Sequence, residues 1–370
     1  MSRRVLYAGA FVPDENGSHA GARAAWNNLN ALRRGGADVD IVICTTERRI
    51  SASDSVHIIS QDAMRFLHGV VAFWRHLSIG DLLVSNILHA RINKRFITTL
   101  KDAMVTGNYD EVFVDFTQCI KPVLIARTLS GKNLRVTSCL HDVYAQKFLR
   151  RPGIYSRVLH GVLCQSELAV LQDVDDIRLL SAKDESIVRS FYSLKQTAVA
   201  EFAAPSWSRR VIRGRILADA PTLICYGNFN RRENADSALF MVKTVLPIVR
   251  RTIPNCQLKL LGTGSVEFHR KYALPNHVVA LGFVDDPSGA FSECACVVAP
   301  LSMGAGVKFK VLDALAANVP VIGTVVAFEG IEPSPLMIET SLQDFASTVL
   351  RVLSMWRAGA EPSARPEAIT

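Results

Sequence analysis

The feature that most constrains this chain is an alternation of short apolar runs with helical-period segments that starts near the amino terminus, fades, and starts again. The first pass opens with Val5-Leu6-Tyr7-Ala8 and a Gly-containing loop. It continues with AGARAAWNNLNALRRGG, a helix stopped at Gly35-Gly36, and with the apolar run VDIVICTT. Strand, loop, helix, strand is a βαβ unit, whose parallel strands need helices on their faces. EVFVDF, LRVTSCL and DIRLLSA read as further strands with helical stretches between them. Periodicity fades across FAAPSWSRRVIRGRILADA and resumes at Pro221 with the strand TLICYGNF. Helix DSALFMVKTVLPIVRRTI, strands QLKLLGTG and VVALGFV, helix SGAFSEC, strand CVVAPL, helix VKFKVLDALAANV and strand PVIGT follow. The 370 residues are thus expected to form two Rossmann-like, doubly wound α/β domains, 1–205 and 206–345. SLQDFASTVLRVLSMWRA is expected as a closing helix that, with a frayed tail from Glu361, fills the remaining segment 346–370. Two such domains facing a central cleft would bring both sets of strand carboxyl ends, where open α/β sheets bind ligands, to one place.

Several classes fall away. The opening MSRRVLYAGAF is too short an apolar run, broken by Pro13-Asp14-Glu15, to be a signal peptide, and it reads as a first strand. No stretch has the 18 or so apolar residues of a membrane span. The eight cysteines lack CxxC spacing and sit mostly in apolar runs, which disfavours zinc and disulfide frameworks and points to a reducing compartment. Cys294 and Cys296, in SECACVVAP, are expected on one strand face as packing residues.

The formal charge of +8 is uneven: residues 1–200 hold 25 Lys/Arg against 19 Asp/Glu, and the remainder 17 against 15. Residues 61–101 carry six Lys/Arg against two Asp, interleaved with Phe66, Phe73 and Trp74. Two readings stay open for this stretch. It is a set of amphipathic helices facing a core, or a peripheral contact with an anionic membrane or acceptor, with Arg91, Lys94 and Arg95 among the cations. Nucleic acid is not expected, because no recognition motif accompanies the charge.

The segment PLSMGAGVKFKVLDALAANVPVIGTVVAFEG, residues 300–330, is the richest in chemistry. Met303, Gly304, Ala305, Gly306 and Val307 form a strand-to-helix loop whose glycines let backbone approach a ligand at a helix start, a seat suited to phosphate. Lys308 and Lys310 in the first helical turn oppose the dipole unless an anion is bound there. Asp313, one turn on, can accept from ribose hydroxyls. Neither first βα turn carries Gly-x-Gly-x-x-Gly, which disfavours a dinucleotide dehydrogenase.

The whole string resembles the nucleotide-sugar signature of GT-B glycosyltransferases of the large retaining family four (glycosyl transferases group 1), in the branch whose loop reads Gly-x-Gly-x-Lys-x-Lys. The resemblance runs through Gly227-Asn228-Phe229, Asn234-Ala235-Asp236, Leu261-Gly262, Gly282-Phe283-Val284-Asp285-Asp286 and Ala327-Phe328-Glu329-Gly330. It covers residues 221–350 well and the front domain more loosely, at the opening strand, at SCLHDVYAQKFLRR and at LAVLQDVDDIRLLSAKDESIV. It departs from the family at two places: Ala305 stands where many members have a first glutamate, and the Gly-Arg…Lys pair is replaced by Gly227-Asn228 with Arg231-Arg232 displaced.

The resemblance implies a GT-B fold, a nucleotide-diphosphate sugar (UDP- or GDP-linked) as co-substrate, and no metal or other cofactor. The diphosphate would rest on Lys308, then Lys310, with the backbone of 304–307 addressing the sugar and Asp313 the ribose. Gly227, Asn228, Phe283 and Glu329 would complete the donor site. His141 and Asp142 would be catalytic, with Asp142 as base if the enzyme inverts and Asp115 a lesser candidate. Gly17, Ser18, His19 and Arg23 would form an acceptor or phosphate loop after the first strand. The implied activity is sugar transfer to a carbohydrate or lipid-linked saccharide acceptor, retaining and metal-independent, in cell-surface polysaccharide or glycolipid synthesis. The expected location is the cytoplasm or the inner face of its membrane. A nucleotide-sugar epimerase or a non-catalytic nucleotide-sugar-binding protein on the same fold is the alternative.

Overall fold

The computed structural model describes residues 3–15, 20–46, 56–149, 154–192, 197–200, 203–212, 220–304 and 306–358. They divide into two compact units, one drawn from residues 1–15 and 21–202 and the other from residue 203 onward. Each unit is described by itself.

The strands of the amino-terminal unit are β1 (Arg4–Gly9), β2 (Asp38–Thr45), β3 (Val56–Ser60), β4 (Glu111–Asp115), β5 (Arg135–Leu140), β6 (Asp176–Leu179) and β7 (Thr197–Val199). Its helices are α1 (Ala20–Arg34), α2 (Ala63–Ala72), α3 (Ile79–Leu88), α4 (Lys94–Thr106), α5 (Ile120–Ser130), α6 (Tyr144–Leu149), α7 (Ile154–Gln172) and α8 (Ala182–Tyr192). The sheet order is β3-β2-β1-β4-β5-β6-β7, all parallel. Strand β1 shows why the run is apolar throughout. Leu6 and Ala8 pack on one face with Phe96, Ile97 and Leu100 of α4, while Val5 and Tyr7 pack on the other with Leu29 and Leu32 of α1.

The strands of the carboxy-terminal unit are β8 (Thr222–Tyr226), β9 (Gln257–Leu261), β10 (Val278–Gly282), β11 (Cys296–Ala299), β12 (Val321–Gly323) and β13 (Met337–Glu339). Its helices are α9 (Arg232–Phe240), α10 (Leu246–Thr252), α11 (Ser265–Lys271), α12 (Ser288–Glu293), α13 (Phe309–Ala316), α14 (Val325–Phe328) and α15 (Phe345–Arg357). The order β10-β9-β8-β11-β12-β13, again all parallel, is the doubly wound order. Trp207 belongs to this unit, packed 4.8 Å from the Phe291 ring. Helix α15 buries Phe345, Val349, Val352 and Leu353 in the same core as β8 and β9. In both sheets the order turns back beside the first strand, between β1 and β4 and between β8 and β11. Those two switch points are where such sheets receive ligands.

Some expectations need correction. The expected helix from Asp236 begins at Arg232 and is interrupted by a wide π turn, Met241–Val245. Pro247 follows after Leu246, with no N–H to return to the preceding turn, and the wider turn carries the chain past it. Cys294 and Cys296 do not share a face. Cys294 precedes β11 and packs in the core around Val297, whereas Cys296 packs on the other side with Leu223 and Leu258. Arg23 is not in a loop but in the first turn of α1, and buried.

Residues 61–101 fold into α2, α3 and the start of α4, capped by Asp62, by a Ser78/Asp81 capping box and by Asn93. Phe66, Val70 and Phe73 face the core. Met64, Leu67 and Val71, at helical spacing on the other side of α2, are exposed together with Trp74, Ile79 and Leu83. Lys94 and Arg95 are exposed, but Arg91 is buried and cannot serve as a surface cation. Among the described residues no helix is long and apolar enough to cross a membrane. The expected tail from Glu361 and residues Gly17, Ser18, His19 and Ala305 lie outside the described residues.

Candidate functional site

At the amino-terminal switch point, Asp115 closes β4 and is fully buried. Its carboxylate accepts from Tyr7 Oη at 2.5 Å, from Asn28 Nδ2 at 3.0 Å and from His141 Nε2 at 2.6 Å. Tyr7 comes from β1, Asn28 from α1 and His141 from the end of β5, so four elements converge on one charge. Burial, the largest influence, works against the imidazolium, but the charge and hydrogen bond of Asp115 outweigh it and lift the His141 pKa to about 10. Held protonated, His141 is a hydrogen-bond donor and a positive charge, not a base. Phe116 stacks on it at 3.7 Å with an interplanar angle of 9°. Phe116 does so from a left-handed backbone, φ 74°, an unfavourable conformation for an aromatic residue.

The Asp142 carboxylate, adjacent in sequence, accepts from Lys147 Nζ at 2.7 Å. The partner of His141 is therefore Asp115, 26 residues away in sequence. Cys139 stands beside this pair, and its sulfur with the Asp115 and His141 ligand atoms spans no more than 4.8 Å. Both Asp115 oxygens have donors aimed at them, Tyr7 Oη on one and Asn28 Nδ2 with His141 Nε2 on the other, as a buried carboxylate requires.

At the carboxy-terminal switch point, β11 leads into the loop that carries Met303, Gly304, Gly306 and Val307. Gly304 has φ 133° and Gly306 φ 67°, backbone that side chains rarely adopt. Lys308 is the residue before α13 rather than within its first turn, and its Nζ donates to the Gly306 carbonyl at 2.5 Å. Lys310, one position inside α13, donates to Asn234 Oδ1 at 2.5 Å, and Asn234 Nδ2 donates to the Asn228 carbonyl at 2.7 Å. Burial, the largest influence on its ammonium, pushes the Lys310 pKa down. Lys310 thus ties the loop after β11 to the Gly227-Asn228 loop after β8. A third loop closes on them: a Cβ at Gly262, φ 128°, would run into the Gly227 carbonyl.

Asp313 is 1% exposed on the inner face of α13. Phe283 is exposed just past β10, and Glu329 is half-buried just past α14. Arg231 and Arg232, by contrast, are exposed and paired with Glu233 and Asp236 of their own helix, as in an ordinary solvated turn. The structure brings together Gly227, Asn228, Lys310 and the 303–308 loop in one unit, and His141 with Asp115 in the other. Sequence reasoning missed Asn234 as the link, and Tyr7 and Asn28 as the donors that fix Asp115. Buried polar residues in otherwise apolar segments were the available signal.

Residues 220–355 match the family described as Glycosyl transferases group 1. The whole chain resembles solved structures at low identity. Sucrose-phosphate synthase from Thermosynechococcus elongatus is 16% identical, with 97% of this chain and 92% of that one covered at a TM-score of 0.68. WaaG, a glycosyltransferase involved in lipopolysaccharide biosynthesis, is 13% identical over 96% and 92%, at 0.63. Anabaena HepE in complex with UDP and glucose is 11% identical over 96% and 90%, at 0.59. No curated protein matches the sequence with significance. The carboxy-terminal unit, with its glycine loop ahead of α13, therefore carries a glycosyl transferases group 1 domain, and the chain as a whole has the two-sheet GT-B fold.

Proposed function

We propose that the enzyme moves a sugar from a UDP- or GDP-linked donor to a saccharide or lipid-linked acceptor, without a metal, in the synthesis of a cell-surface polysaccharide or glycolipid. The observation that carries this reading is the loop of residues 303–308 at the β8/β11 switch point. Two left-handed glycines, the start of α13 and Lys308 stand together there, and together they suit a diphosphate. The helix end and the lysine supply the positive charge that a divalent ion would otherwise bring to the leaving group. Asp313 is assigned to the ribose, Phe283 and Glu329 to the nucleoside, and the backbone of 304–307 to the sugar. HepE, solved with UDP and glucose, supports a uridine donor as the first to try.

Retention of configuration fits the amino-terminal site. In that mechanism the departing phosphate takes the acceptor proton, and a histidine held protonated by Asp115 donates to oxygen and needs no base beside it. For location, the exposed apolar stripe Met64, Leu67 and Val71, with Trp74 and Ile79 beside the exposed cations Arg65 and Arg75, supports a peripheral seat on an anionic membrane at its inner face.

Thermal stabilisation by UDP and GDP in the presence of a chelator tests the donor site. A ligand at 100 times its dissociation constant adds about 2.7 kcal/mol. Stabilisation by one diphosphate is expected, and loss of it in Lys308→Ala. Stabilisation by neither would overturn the donor assignment, and stabilisation only with magnesium would overturn metal independence. Donor turnover with no acceptor present would favour an epimerase.

A further inference from the structure

The turn between α3 and α4 carries a buried cation that no carboxylate among the described residues neutralises. Arg91 is 7% exposed and its Nε is buried without a hydrogen-bond partner. Among the described residues no carboxylate pairs with it. Its guanidinium lies 5.7 Å from the centre of the Phe11 ring. Taking such a group out of water without a counter-charge opposes folding, yet the turn that holds it is firmly built. Gln61 Nε2 donates to the carbonyls on either side, Ala90 at 3.0 Å and Ile92 at 3.3 Å. Gln61 Oε1 accepts in turn from Asn93 Nδ2 at 2.7 Å, and Asn93 caps α4. From the other side α2 closes in so tightly that a Cβ at Gly69 would lie 2.7 Å from the Ile92 carbonyl oxygen. A charge that costs stability and is nevertheless held in one position is the mark of a binding group.

Arg91 also stands at the end of a row of rings. Phe11 meets Phe116 edge to face at 4.8 Å, and Phe116 stacks on His141. Phe11, Phe116 and His141 follow the carboxyl ends of β1, β4 and β5, the edge at which this sheet type receives ligands.

We propose that Arg91 anchors a phosphate group carried by the acceptor, so that the acceptor lies along Phe11 and Phe116 with its reacting hydroxyl towards His141. The proposal rests on the reading of the chain as a transferase with its acceptor on the amino-terminal unit. The guanidinium fork holds two phosphate oxygens at once, and burial strengthens the contact. The phosphate belongs either to a soluble sugar phosphate or to a lipid headgroup.

The test uses the full chain as wild type, Arg91→Met and Lys308→Ala. Equilibrium binding is measured with glucose 6-phosphate, glucose and glucuronate, and with phosphatidylcholine vesicles with and without phosphatidylinositol. Wild type and Lys308→Ala are expected to bind a phosphate-bearing probe in preference to glucose and glucuronate. Arg91→Met should bind it at least about tenfold more weakly, with an unchanged or raised Tm because a buried charge has gone. A response to glucose 6-phosphate alone assigns a soluble acceptor, and a response to the phosphatidylinositol vesicles alone a lipid one. Should Arg91→Met be poorly folded, Arg91→Lys keeps the charge without the fork and should bind with intermediate affinity. Equal binding by wild type and the Arg91 variant overturns the proposal, as does a response to glucuronate as strong as to glucose 6-phosphate. So does phosphate binding lost in Lys308→Ala but kept in the Arg91 variant, or no binding of any phosphate probe. Lys308→Ala with unaltered UDP and GDP binding would instead strike at the donor reading and leave the Arg91 result standing.

Discussion

His141 Nε2 lies 2.6 Å from Asp115 Oδ1, where Asp115 closes β4 and His141 directly follows the neighbouring parallel strand β5. The carboxylate is fully buried, so its charge acts at close range on a ring only 11% exposed. This pair makes the imidazolium the resting form of the histidine.

Asp115→Asn tests that dependence through pH. The folded pKa of His141, about 10, is raised above the ordinary value of about 6.5. Its contribution to stability is therefore complete below about pH 6.5 and lost as pH rises through about 10. The wild type should lose up to a few kcal/mol of unfolding free energy across that window. The variant should lack this slope, be less stable at neutral pH by roughly 3–5 kcal/mol because the buried pair is broken, and show His141 titrating several units lower by NMR. Parallel stability curves for the two proteins from pH 6 to 10 would refute the assignment.

The two lysines of the donor loop should separate in binding. Lys308→Ala removes the cation next to the glycine loop and should weaken nucleoside diphosphate binding by about 2 kcal/mol, the scale of a charge-assisted hydrogen bond. Lys310 reaches the ligand loop through Asn234, so Lys310→Met should cost less affinity and shift the local structure around Asn228 instead. Titration calorimetry of both variants decides. A larger loss for Lys310→Met would place its ammonium on the phosphate.

What the sequence made legible follows from where each residue sits. Central strands such as β1 and β4 are buried on both faces, so their inner residues, Val5-Leu6-Tyr7-Ala8 and Val112-Phe113-Val114, appear as apolar runs. β3, β7 and β13 lie outside them, and β7 and β13 have only three residues each, too short to show a period. The 303–308 loop was readable because two glycines and a lysine act within six positions. The partner of His141 was not, because Asp115 reaches it through strand pairing rather than spacing, and the neighbouring Asp142 offered a nearer carboxylate. Arg91 read as one surface cation among several, because only the packing of α2 and Gln61 shows that it is buried.

Leu67→Glu with Val71→Glu should abolish binding to anionic vesicles without unfolding the chain, since Val71 is 72% exposed and both side chains face away from the core. Surface substitutions of this kind change stability by about 0.5 kcal/mol or less. Vesicle co-sedimentation of the double variant beside wild type is the measurement. Undiminished sedimentation with an unchanged thermal midpoint would remove α2 from the membrane face.

Gly262→Ala tests whether the loops after β8 and β9 must touch. The position has φ 128°, which alanine adopts only with strain, and its Cβ would collide with the Gly227 carbonyl, part of the segment that leads to Asn228. The backbone there cannot yield easily, because the Gly227 amide is bonded to the Leu261 carbonyl at 2.9 Å and the Gly262 amide to Gly282 at 2.8 Å. The substitution should destabilise the protein by about 2–4 kcal/mol and displace the Gly227-Asn228 loop. Denaturant unfolding gives the first quantity and nucleotide affinity the second. Gly282→Ala, also at positive φ but with its nearest contact a flexible Val266 methyl at 3.6 Å, is the control. It should carry the conformational strain without the collision, and so cost less stability and leave nucleotide binding intact. Equal losses for the two variants would show that strain alone, and not the contact between the loops, sets the cost.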